Sequence, residues 1–302
     1  MISREELEAA HCWENDDAVA GRPEMTAYRR TLRLRQARWR EEHGHPIGSQ
    51  PIAPKPGQKA RPVGARMPLH YARETGANFV TTTARTAARH RTSYVEKHQS
   101  FDHQRWWADL LWAPALAVNL FADADAGALW GGNAYETRYA YSPGRFDPAY
   151  LDSLRSFDAA FLGDGEVVAV QVNYHEYART AIPKPAEHLA GRRREVVKRS
   201  GAFAPGAVDA LERRSDLCLI WLEHLLLLSM LQHPSGAWAR GRYVVVYPEA
   251  NSDLAGMCAR YRELLADDST FETMTIEQLP TPAAVRDRYL ASTGALTPAP
   301  SA

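Results

Sequence analysis

Residues 156–177, SFDAAFLGDGEVVAVQVNYHEY, set one carboxylate and two amides into otherwise apolar surroundings. Asp-Gly between two alternating runs is the strongest short-range hairpin signal, because a type I′ turn needs positive φ at both central residues. With Asp164 and Gly165 at those positions, Asp158 falls directly opposite Gln171, and opposed side chains lie about 5 Å apart at Cβ. Side chains alternate along a strand, so Asn173 shares the face of Gln171. Phe157, Ala160, Phe161, Val168, Val170 and Val172 flank the three. Burying Asp, Gln and Asn there costs a few kcal/mol unless partners are supplied, and that expense points to a site. It offers an anionic oxygen at Asp158 and a carbonyl oxygen at Gln171, both hard donors. The same trio would serve equally as a structural, hydrogen-bonded end to the hairpin, or sit in water beyond the sheet edge.

Other residues with chemical potential are weaker. Asp109 could add a carboxylate, though a solvent-facing Asp is the plainer expectation. Glu176 follows the second strand, but alternation puts it on the face away from Gln171 unless the strand has ended or bulged. Glu223 and His224 sit in an apolar helix, where a satisfied buried pair is the expected state. His43 and His45 resemble a metal pair by spacing alone. Three basic segments could track a phosphate backbone: 29–40, which includes Arg29, Arg30 and Arg33; 85–91; and Arg192, Arg193, Arg194, Lys198 and Arg199. Each taken singly reads as a solvated helix face. Trp106 and Trp107 read as core anchors.

The elements that must position these residues follow from periodicity. A basic helix at 28–40 leads into a stretch with prolines at 46, 51, 54, 56, 62 and 68, which suits a linker or surface strap. Residues 102–120 read as a helix broken at Pro114, and 135–142 as a strand. The hairpin comes next, then a long apolar helix at 215–232. The run RYVVVY at 242–247 carries the signature of a buried central strand. A helix near 252–266, a strand near 270–276 and a helix near 281–291 complete the order. The alternation implies an α/β protein with a mixed sheet and helices on both faces. We expect an N-terminal extension at 1–70, a principal domain at 71–292 and a disordered tail at 293–302.

Composition bounds the function. Lys+Arg and Asp+Glu are 36 each in 302 residues, so no whole-molecule field draws in nucleic acid, and phosphate binding must come from local patches. Cys12, Cys218 and Cys258 are odd in number and widely spaced, which argues against a disulfide framework and a Cys-type zinc site. The N-terminus has no apolar leader, and the longest apolar stretch, Leu217 to Leu231, is interrupted by Glu223 and His224. A cytoplasmic protein with no membrane span is expected.

The hairpin resembles the core of the PD-(D/E)XK nuclease superfamily, in which an Asp on one strand and an E-x-K motif on the next bind Mg²⁺ and activate water. Most of the chain, from about residue 28 to 291, is similar to a bacterial family of restriction endonucleases in that superfamily. WREEHGHPIGS (39–49), ETGANFVT (74–81), YSPGRFDPAYL (141–151), SFDAAF (156–161), WLEHLLLLSMLQHPSG (221–236) and GRYVVVYP (241–248) carry the likeness. The resemblance implies a restriction-endonuclease-like αβββαβ core. It implies Asp158 as the catalytic and metal-binding Asp. Gln171 and Asn173 stand where the motif has Glu and Lys, so Gln171 keeps a metal-facing carbonyl but lacks the charge. Asp109 and Glu176 are secondary candidates. DNA is the implied partner, alone or as a homodimer or larger defence complex, with Mg²⁺ bound weakly or not at all. A nucleic-acid-binding protein with weakened or lost cutting is the leading expectation. An active endonuclease using Asp158 with altered partners, or a non-enzymatic scaffold subunit, are the alternatives.

Overall fold

The computed structural model describes residues 2–94, 101–132, 134–144, 147–151, 155–177, 190–213 and 215–290. The helices are α1 (Arg4–Ala9), α2 (Pro23–Glu42), α3 (Leu69–Thr75), α4 (Thr82–Thr92), α5 (His103–Ala108), α6 (Ala113–Phe121), α7 (Ala126–Trp130), α8 (Ala190–Ser200), α9 (Ala207–Arg213), α10 (Cys218–Leu231), α11 (Ser252–Arg262) and α12 (Ala283–Tyr289). The strands are β1 (Gly48–Gln50), β2 (Arg61–Val63), β3 (Glu136–Tyr141), β4 (Phe157–Leu162), β5 (Glu166–Val172), β6 (Arg240–Tyr247) and β7 (Phe271–Thr275). The chain forms two compact units. One comprises Met1–Arg89, Asp102–Asp123 and Pro280–Ala302, the other His90–Phe101 and Ala124–Leu279.

The second unit is built on a five-stranded sheet in the order β3-β4-β5-β6-β7. The β3-β4 and β4-β5 pairs are antiparallel, and the β5-β6 and β6-β7 pairs parallel. β6 is interior, and its Tyr243, Val244, Val245 and Val246 are wholly buried. An apolar, β-branched run suits that position because both of its faces are covered. α10 has no polar face: Ile220, Trp221 and Leu225 to Met230 are buried along its length. Such a helix is stable only when enclosed. It packs with Phe157, Val167, Ala169, Tyr243 and Val245 in one apolar cluster, where each fully buried Leu contributes about 1.5–3 kcal/mol.

The hairpin forms in the register the Asp-Gly turn demands, with Ala159 paired to Val170, Ala160 to Ala169, Phe161 to Val168 and Leu162 to Val167. The turn itself departs from the type I′ expectation. Of its two central residues only Gly165 takes positive φ, at 64°, the sign pattern of a type II turn. Gly163 N–H donates to Glu166 O at 2.8 Å, so the two-residue connection and the register survive the change of type.

In the first unit the basic helix is longer than its Arg-rich stretch and begins with Pro23 in its first turn. The Pro-rich stretch does more than strap: β1 and β2 within it pair as an antiparallel ribbon. The single helix expected over 102–120 is two. The break falls before Pro114, which sits in the first turn of α6, where a missing N–H costs nothing. The tail beyond residue 290 lies outside the described residues.

Candidate active site

β4 and β5 bring Asp158 and Gln171 together. Gln171 Nε2 donates to Asp158 Oδ2 at 2.7 Å, and the backbone N–H of Val172 donates to the same oxygen at 2.8 Å. The ladder between the strands runs only as far as the Ala159–Val170 pair. Beyond it the Asp158 carboxyl takes an N–H that a strand carbonyl would otherwise receive. Ala140, on the neighbouring strand, has φ 46°, so the sheet is locally distorted on that side as well. Gln171 Oε1 is buried and has no hydrogen-bond partner among the described residues.

Asn173 is not joined to this pair. It lies one residue past β5, partly exposed, with its N–H on Val246 O at 2.7 Å. Among the described residues no hydrogen bond links its side chain to Asp158 or Gln171. Glu176 also lies beyond the end of β5, so strand alternation does not govern it. Its Oε2 accepts the N–H groups of Tyr174 and His175 at 2.7 and 3.0 Å.

A second carboxyl comes from α10. Glu223 is 6 % exposed; its Oε2 accepts from Tyr243 Oη at 2.7 Å and its Oε1 from Arg155 Nη1 at 3.3 Å. The next residue, His224, is wholly buried, with Nδ1 2.9 Å from Tyr261 Oη and Nε2 2.9 Å from Thr270 Oγ1. The expected satisfied buried pair is what α10 holds.

Burial drives the electrostatics. Loss of solvent holds the Asp158 carboxyl well above the usual range; the Val172 N–H opposes this, and Glu223 and Glu176 add to it. Glu223 is raised by its own burial despite Arg155 and Tyr243. Burial lowers His224 to about 3. Asp158 and Glu223 are thus acids whose charged forms the interior disfavours. Sequence reasoning missed Tyr243 and Arg155 as partners of Glu223. The available signal was a lone Glu in an apolar helix, which must find donors.

The remaining candidates have partners of their own. Asp109 is buried rather than solvent-facing. Oδ2 meets Arg105 Nε at 3.0 Å and Arg66 Nη2 at 3.7 Å, and Oδ1 accepts Leu111 N–H at 3.1 Å. Burial alone would raise its pKa, but the two arginines and the N–H bring it below the usual value. The expected solvated basic faces are corrected at several positions. Arg33 is buried in a two-pronged pair with Asp17, at 2.7 Å for each bond, and Arg29 is buried beside the same carboxylate with its guanidinium on Asp16 O. Two arginines on one helix face turn inward because an ionised Asp17 needs that compensation. Arg30 stacks over Trp13, 4.1 Å from the ring centre. Arg193 is buried over Trp221, and Arg192 is tied to Tyr150 O and Ala149 O. Arg194 is exposed and pairs with Glu212 at 3.0 Å, and Lys198 is exposed. Trp106 and Trp107 are core anchors, as read. The ring nitrogens of His43 and His45 face Trp39 O and Tyr71 Oη at 2.8 Å each.

The distorted hairpin end, with an Asp on one central strand facing position 171 on the next, is the arrangement the sequence motifs pointed to. A family model for the PD-(D/E)XK nuclease superfamily matches residues 23–291. The chain belongs to the PD-(D/E)XK nuclease superfamily. No curated protein and no solved structure matches it. The five-stranded mixed sheet flanked by helices is the restriction-endonuclease-like fold of this superfamily.

Nucleases of the superfamily generally depend on a divalent metal. The residues at this hairpin do not fit one. The one carboxyl facing position 171 already accepts two N–H bonds on Oδ2, and Gln171 turns its nitrogen rather than its carbonyl toward it. Hard cations bind anionic oxygens, and among the described residues no group of three or more His, Cys, Asp or Glu is placed to hold a metal.

Proposed function

We propose that this PD-(D/E)XK protein engages nucleic acid in a restriction or defence role, with phosphodiester cutting weakened or lost. The observation that carries the reading is the Gln171 Nε2–Asp158 bond. It puts an N–H donor where hydrolysis by this fold calls for a second anionic oxygen. Losing one electrostatic stabiliser commonly costs 10²–10³ in rate. Asn173 in place of a lysine removes a second, and the two losses need not add.

The double change Gln171→Glu plus Asn173→Lys is therefore expected to raise Mg²⁺- or Mn²⁺-dependent cutting well above wild type, and Asp158→Ala in that background to abolish it. Strong wild-type cutting that survives Asp158→Ala would place the chemistry elsewhere. A folded but inert double mutant would mean divergence beyond these two positions.

A scaffold reading has its own support, since Arg29, Arg33 and Arg193 are buried and offer no phosphate contact. Under it, neither wild type nor double mutant binds duplex DNA. The nucleic-acid reading rests on exposed basic residues such as Arg194 and Lys198.

A further inference from the structure

We propose that Gln171 holds Asp158 in place of a divalent cation, so that the open end of the β4-β5 hairpin closes without metal and the wild-type site takes none up. This rests on the reading that residue 171 occupies the motif's carboxylate position.

Two facing carboxylates repel, and a bound cation or a shared proton is needed to reconcile them. An amide removes that requirement. The atom of Gln171 that faces Asp158 Oδ2, at 2.7 Å, is Nε2, an N–H donor, and a carboxyl oxygen accepts from it whether or not the acid carries a proton. The Val172 N–H adds a second donor to the same oxygen. One side chain of this pair thus supplies internally what an ion supplies between two acids. The bond also has structural work. The β4-β5 ladder ends at Ala159 and Val170, and Asp158 captures the next inward N–H of β5, so the residue fastening Asp158 also fastens the strand end. Gln171 is here a positioning residue: it acts through Asp158 and through β5.

Thermal melting of the full chain in EDTA and in millimolar Mg²⁺ or Mn²⁺, with calorimetric Mn²⁺ titration, tests this without an activity assay. Wild type should melt at the same temperature in all three and give no saturable Mn²⁺ heat. Gln171→Glu should melt lower than wild type in EDTA, by about 3 °C or more, and recover with Mg²⁺ or Mn²⁺. Adding Asp158→Asn to it should erase the metal response. Gln171→Met, which keeps the length but removes the donor, should melt lower than wild type and gain nothing from metal, and it carries the test if Gln171→Glu does not fold. The proposal is overturned if wild type is stabilised by Mg²⁺, or shows Mn²⁺ heat that Asp158→Asn removes. It is also overturned if Gln171→Met melts like wild type. Loss of DNA binding would sink the nucleic-acid reading and leave these melting results untouched, while a metal-stabilised wild type would sink this proposal alone.

Discussion

At the scale of single residues, α10 holds two of the second unit's buried titratable groups, Glu223 and His224. His224 is lowered to about 3 by burial, so the folded protein keeps it neutral where the unfolded chain, with a pKa near 6.5, binds a proton. The unfolded state then carries more protons between those values, and stability must fall as pH drops through that window. The contribution is complete above pH 6.5 and lost progressively toward 3, reaching about 2 kcal/mol of loss at pH 5. Asp158 and Glu223 act with the opposite sign. Their raised folded values favour the protonated acid, so each adds stability as pH falls. Comparing wild type with His224→Gln isolates the histidine. Urea unfolding at pH 7.5 and pH 5 should show a drop about 2 kcal/mol smaller in the variant. An equal drop would mean that His224 is already protonated in the fold.

At the scale of elements, the hairpin and α10 explain what the sequence could and could not reveal. Register was legible because Asp164-Gly165 fixes the loop length, and loop length fixes pairing. Turn type was not legible, because one glycine alone can carry the left-handed residue while the pairing stays the same. The Asp158–Gln171 contact followed from the register. The separation of Asn173 did not, since strand alternation predicts positions only while the strand lasts and β5 ends at Val172. α10 was legible from its length and its apolar character on every side but for Glu223 and His224, and the same feature sets its energetics. Leu227 is fully buried in it, so Leu227→Ala should cost about 2–5 kcal/mol. Chemical denaturation should show this as a lowered midpoint at unchanged slope, and a loss under 1 kcal/mol would mean that the core collapses around the gap.

At the scale of the whole molecule, charge balance was readable and charge placement was not. Thirty-six basic and thirty-six acidic residues cancel, but composition cannot say which arginines face inward. Asp17, which sequence reasoning passed over, draws Arg33 and Arg29 into the first unit. Arg66 and Arg105 are likewise taken by Asp109. Few of the expected phosphate contacts remain available, so duplex DNA binding should be weak and its salt dependence shallow. On a plot of log affinity against log salt the line should fall with a slope nearer −3 than the roughly −10 of an extensive phosphate interface. Arg194→Ala with Lys198→Ala should flatten it further. Binding that ignores salt would favour the scaffold reading.

The arrangement of the central strands has a consequence for how the chain is made. β4 and β5 can close through a two-residue turn as soon as both exist, whereas β6 pairs with β5 only after the chain has run from Val172 to Arg240. Local closures are fast and distant ones slow. A nascent chain therefore carries the finished hairpin with the Val167–Val172 edge uncovered until α10 and β6 have left the ribosome. An apolar, β-branched edge left open during synthesis invites pairing with other chains. Truncation before residue 240 should yield insoluble protein even where every residue of the hairpin is present.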